Sequence, residues 1–112
     1  MNVISSSIAR EVDNVIYTKA GCEIAVATTK AYTSQIVVLT LLAFKNKINV
    51  DYNLLDIVLN NDYLEIAKLL YKTNNIFFIG RGIDYALAME GSLKLKEISY
   101  INTQAYSAGE LK

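Results

Sequence analysis

The pattern of apolar and polar residues divides this chain into nine expected elements. Residues 74–79 (NNIFFI) form a short apolar run of β-formers, the pattern of a buried parallel strand. Gly80-Arg81-Gly82 follows at once, a turn that allows sharp reversal and close approach of another group. Asp84 is the expected N-cap of a helix running to about Tyr100. Leu87, Leu93, Ile98 and Ile101 supply apolar contacts along it, and residues 103–106 are read as a last strand before a turn at Ser107-Ala108-Gly109. Upstream, 2–4 read as the end of a strand, Ser5-Ser6-Ser7 as a cap for a short helix at 8–11, and 12–18 (VDNVIYT) as a strand. Gly21 turns a loop over 19–24. Thr28 or Thr29 is expected to cap a helix reaching about Asn46, whose stretch 36–44 is apolar all round apart from Thr40. Such a helix lies central in a core, since it is far shorter than the ~20 residues a bilayer needs. Residues 45–53 are a polar linker, followed by helices at 54–60 and 62–72 with an apolar stripe at Tyr63, Ile66, Ala67 and Leu70. The expected class is α/β: a short parallel sheet, near 13–18, 75–80 and 103–106, flanked by helices in a three-layer arrangement.

Composition narrows the function. The chain has 112 residues, is 53% hydrophobic and carries 11 basic against 11 acidic residues. It can bury a core, and no basic run supports nucleic acid or a membrane surface as partner. One cysteine, Cys22, excludes an intrachain disulfide framework and fits a reducing cytoplasm. Its only basic neighbour is Lys19, so it is read as a loop residue and not a nucleophile. There is no histidine, which removes the usual base near neutral pH and the commonest metal ligand. The reading calls for no metal and no cofactor. No secretory leader is visible at Met1.

The chemistry-bearing pattern lies on the last helix. Glu90, Lys94 and Glu97 follow i, i+4, i+7 spacing and share one stripe. A carboxylate beside an ammonium on a rigid helix at a sheet edge can move a proton. The same spacing also describes an ordinary solvated Glu–Lys ladder. Ser5 to Ser7 could hold phosphate through hydroxyls and helix N–H groups, or serve only as a cap.

RGIDYALAMEGSLKLKEISYINTQAYSAGELK resembles the second sugar-isomerase (SIS) half of the isomerising glutamine:fructose-6-phosphate amidotransferases. AGCEIAVATTKAYTSQ resembles the closing part of the first SIS half of the same family, and the two blocks stand in the family's order. The resemblance implies three parts: 1–46 as the end of a first SIS domain, 47–72 as a helical connection, and 73–112 as the beginning of a second. The connection is shorter than the family's. By resemblance, Glu97 is the base that moves a proton between adjacent carbons of an opened sugar phosphate, and Lys94 stabilises developing negative charge. Val26, Ala27 and Thr28 match a turn that contacts the sugar phosphate. The expected ligand is fructose 6-phosphate or glucosamine 6-phosphate, and self-association is expected because a small sheet exposes its edges. The family's Ser-Gln-Ser-Gly-Glu-Thr type phosphate loop is absent, and the family's ring-opening histidine falls just beyond Lys112. Lys112 does not match the family's Schiff-base lysine. The chain is therefore expected to be a piece or shortened homologue that is not a competent synthase alone. A non-catalytic sugar-phosphate-binding module and a structural piece are the alternative readings.

Overall fold

The structure, a computed structural model, describes residues 1–45, 47–49 and 51–111. It divides into two compact units, Met1–Asp51 and Tyr52–Lys112. No helix among the described residues is long and apolar enough to cross a membrane.

The first unit holds helix α1 (Ser7–Glu11) and helix α2 (Lys30–Ala43). Ser6 caps α1, its hydroxyl accepting from the Ala9 N–H at 3.4 Å, as the serine run predicts. The expected strand at 12–18 does not form. Its backbone is held instead at one end of the chain: the Met1 ammonium donates to the Ile16 carbonyl at 2.6 Å, and the Thr18 N–H donates to the Met1 carbonyl at 2.8 Å. A strand needs a neighbour of several residues, and 2–4 bend away into a turn with Ser5 at φ 61°. The expected strand end at 2–4 is absent for the same reason. Helix α2 starts where expected, but Thr29 makes no side-chain cap. The Glu23 carboxylate caps from the preceding loop, accepting from the Ala31 N–H at 2.9 Å. A negative group there also suits the positive end of the helix. The described helix stops at Ala43, while the expected end at Asn46 lies outside the described residues. Only Ala31 of α2 is buried, and Ile36, Leu39 and Leu42 are half-exposed or more. The all-round apolar helix is thus not enclosed as expected, because its own unit offers no sheet to lie on.

The second unit runs α3 (Asn53–Asn60), α4 (Leu64–Leu70), β1 (Asn75–Gly80), α5 (Ile83–Ser99), β2 (Asn102–Ser107). The break between α3 and α4 falls at 61–63, as read from the sequence. The Asp62 carboxylate accepts from the Leu64 N–H at 2.8 Å, and Tyr63 donates to the Val58 carbonyl at 2.9 Å. Strands β1 and β2 pair in parallel, Asn75 opposite Asn102 through Gly80 opposite Ser107. Helix α5 is the crossover and packs on both strands. The sheet has two strands, so the α/β class with a short parallel sheet holds, while the third strand is the one lost at 12–18.

Small groups let α5 approach. A Cβ on Gly80 would lie 2.3 Å from the Asp84 carbonyl oxygen, and one on Gly91 would lie 3.1 Å from the Phe78 ring. The chain leaves β1 so tightly that Gly82, at φ 57°, occupies the N-cap position. Asp84 is therefore not the cap but an acid in the first turn, still favourable to the helix dipole. At the centre, Thr103 is fully buried and donates to the Ser92 carbonyl at 2.6 Å, tying β2 to α5. Tyr100, at φ 60°, ends the helix with its N–H on the Lys96 carbonyl. The closing turn behaves as predicted: the Ala108 N–H reaches the Gly80 carbonyl at 2.8 Å, and Gly109 takes φ 99°.

Candidate functional site

Helix α5 turns its small residues, Ala88, Gly91 and Ser92, to the sheet. With about 100° per residue, Glu90, Lys94 and Glu97 then fall on the opposite side. The structure brings these three together. The Lys94 ammonium donates to the Glu97 carboxylate at 2.8 Å and stands 3.5 Å from Glu90. Their side chains are only 19% and 25% exposed, so the cluster shields itself from water more than a surface ladder does. The hydrogen bond that Lys94 donates to Glu97 raises the Lys94 pKa above its ordinary value. Partial burial opposes this, and the charges of Glu97 and Glu90 add to the rise. Lys94 is therefore a firm cation at neutral pH, a source of positive charge and not a base. One ammonium shared by two carboxylates leaves lone pairs on Glu97 that Lys94 does not occupy.

Of the other predicted residues, Val26, Ala27 and Thr28 lie in the first unit. Val26 is 84% exposed, Ala27 is buried, and Thr28 lines a cavity of about 940 Å³. Asn2, Lys19, Glu23 and Gln35 line the same cavity, which gives it both charge signs and amide groups. The second unit has its own cavity, about 360 Å³, between α5 and β2, lined by Tyr85, Met89, Lys96 and Gln104 among others. Neither Lys94 nor Glu97 lines it. The charged cluster is therefore separate from that hollow. Sequence reading missed Glu23 and Thr103. Glu23 caps from seven residues before α2, beyond the window in which caps are sought. Thr103 carried a signal, a β-branched residue at a strand position, but its bond to a helix carbonyl depends on tertiary contact.

Comparison with known proteins places these features. Residues 69–112, the segment that holds β1, α5 and β2, match the SIS domain family. That segment is similar to SIS-domain sequence. Over almost its whole length the chain is similar to one stretch of the isomerizing glutamine–fructose-6-phosphate aminotransferases. It is 48% identical to that of Caldanaerobacter subterraneus, with 99% of this chain and 21% of the relative aligned. The Bacillus subtilis enzyme is 47% identical over the same shares. Among solved structures, the C-terminal domain of glucosamine-fructose-6-phosphate aminotransferase from Francisella tularensis superposes with a TM-score of 0.79 at 37% identity. It covers 98% of this chain and 36% of that domain. The chain spans about a fifth of the length of the curated relatives it matches. The alignment to the Caldanaerobacter enzyme runs over 134 positions against 112 residues here, so the matched stretch is shorter in this chain.

Proposed function

We propose that the outer face of α5 carries the proton-transfer pair of a sugar-phosphate isomerase site, with Glu97 as the base and Lys94 as its electrostatic partner. The observation that supports this is the 2.8 Å contact between them, partly shielded from water, in the segment that matches the SIS family. In an opened ketose phosphate, the Glu97 carboxylate takes a proton from the carbon beside the carbonyl. The C–H electron pair forms a C=C bond, the carbonyl oxygen becomes the oxyanion of an enediolate, and the proton of the neighbouring hydroxyl passes to it. Glu97 then returns the proton to the neighbouring carbon, giving the aldose. Positive charge held near the developing enediolate oxygen lowers that barrier, and Lys94 is built to supply it. General acid–base groups of this kind each contribute roughly 10²–10⁴ in rate.

Val26, Ala27 and Thr28, in the first unit, are read separately, as a turn that contacts sugar-phosphate oxygens through backbone groups and the Thr28 hydroxyl. The ligand class is a hexose 6-phosphate, in keeping with the fructose 6-phosphate in the relatives' names. The reading concerns this sugar site and not the transamination those names also state, since the chain spans about a fifth of each relative. Residues 1–46, 47–72 and 73–112 serve in it as the end of one SIS domain, a connection and the start of the next, with self-association and a cytoplasmic setting. Titrating the chain with glucosamine 6-phosphate while recording amide NMR spectra tests it. Shifts confined to 26–29 and 80–97 are expected, and Glu97→Gln should alter those on α5. Well-dispersed spectra that ignore millimolar sugar phosphate would overturn the reading.

A further inference from the structure

The turn that leads into α2 is closed by a side chain of its own segment. The Glu23 carboxylate accepts from the Ala31 N–H at 2.9 Å, so residues 23–31 form a loop whose two ends are held together. Fully extended, that stretch of chain would span up to ~26 Å. The bond removes much of the freedom of the residues between, and these include Val26, Ala27 and Thr28. Packing holds the same loop at two further points, since Ala27 is 5% exposed and Ala31 3%. The clasp itself is made wholly within residues 23–31.

Glu23 also relieves the threonines of a duty. The N–H of the second helical residue is ordinarily taken by the side chain at the N-cap. In α2 the N-cap is Thr29, which makes no such bond, and Glu23 takes the Ala31 N–H in its place. A hydroxyl occupied at the helix end cannot at the same time turn to a ligand. With the cap supplied by Glu23, the hydroxyl of Thr28, which lines the same cavity as Glu23, is left for another partner. Removing Glu23 puts Thr28 and Thr29 back in competition for the Ala31 N–H.

We propose that Glu23 is a positioning residue for sugar-phosphate binding. Its carboxylate fixes the 26–28 turn in the shape that presents backbone groups and the Thr28 hydroxyl to the ligand. It does not touch the phosphate, because a carboxylate and a phosphate are both anions and both acceptors. The proposal rests on the reading of 26–28 as a sugar-phosphate turn. Electrostatics gives it a sign that a direct contact or a field effect does not share. By charge alone a carboxylate near an anionic ligand weakens binding, so its removal would tighten it. By shape, its removal loosens the turn and weakens binding.

The test is a titration of the full chain with glucosamine 6-phosphate, followed by amide NMR shifts at 26–29, for wild type and three variants. Glu23→Ala removes clasp and charge together and should weaken binding about fivefold, the factor that corresponds to a lost cap. Glu23→Gln keeps an acceptor oxygen at the same reach without the charge, and should bind as tightly as wild type or more so. Glu23→Asp keeps the charge but is one methylene short, and should weaken binding as alanine does. Hydrogen exchange at the Ala31 amide reports the clasp in each protein, slow in wild type and Glu23→Gln and faster in the other two. If Glu23→Ala does not fold, the order of Glu23→Gln above Glu23→Asp carries the test. Equal affinity in all the variants, or tighter binding by Glu23→Ala, would overturn the positioning role and leave the sugar-phosphate reading standing. A wild-type chain that ignores millimolar glucosamine 6-phosphate would remove that reading, and the positioning role with it.

Discussion

The two units of this chain hold themselves together by different means. In Tyr52–Lys112, β1, α5 and β2 pack mutually, with a six-residue parallel ladder, a tight glycine exit from β1 and a buried Thr103 bond to Ser92. In Met1–Asp51 no sheet forms among the described residues. Its order rests on single polar contacts reaching across loops, such as Glu23 on Ala31 and Met1 on Ile16 and Thr18. Cooperative ladders spread a loss over many bonds, whereas a single cap fails alone. The chemistry follows the same division. The Lys94–Glu97 pair rides on the self-packed unit, while Val26 to Thr28 lie on the loosely held one.

The comparison is broken most severely at Gly80. Gly80→Val drives a side chain into the Asp84 carbonyl and should destabilise the second unit by at least about 3 kcal/mol. Urea unfolding followed at α5 amides checks this, and amides of α2 should keep their protection. Next, Thr103→Val keeps the shape but removes the buried donor. A loss of about 1 kcal/mol is expected by the same measurement. At the first unit, Glu23→Ala should cost about 1 kcal/mol of local helix stability. It should be read as faster hydrogen exchange in the first turn of α2, with β1 and β2 unaffected. The smallest effect is on pH dependence. Lys94 has its pKa raised in the folded state, so its contribution to stability is fully present below the ordinary lysine value of 10.5. It is lost as pH rises through the higher folded value. Unfolding at alkaline pH should show this decline, and Lys94→Met should flatten it.

Much of the second unit was legible in the sequence because its signals are local and agree with one another. The NIFFI run, the glycines at 80 and 82, the long helix and the closing turn at 107–109 all appear where pattern places them. The Glu90, Lys94, Glu97 stripe was legible too, since helical spacing alone sets it. The cap was misplaced at Asp84 because the tight exit from Gly80, and not side-chain chemistry, decides where α5 begins. In the first unit, VDNVIYT has the composition of a strand. Strand formation depends on a partner, and no local pattern reports whether one is alongside. Helix α2 shows the same limit: its apolar run marks a surface to be covered but does not say by what.

The ion pair of α5 carries the proposed chemistry, and a pH titration of the Lys94 side-chain nitrogen by NMR tests it. Wild-type protein and Glu97→Gln should be compared under identical salt. A midpoint above the ordinary lysine value that falls back towards it in the variant is predicted. An ordinary midpoint in both proteins would mean that Lys94 and Glu97 do not form a held pair. The isomerase reading of this helix face would then lose its foundation.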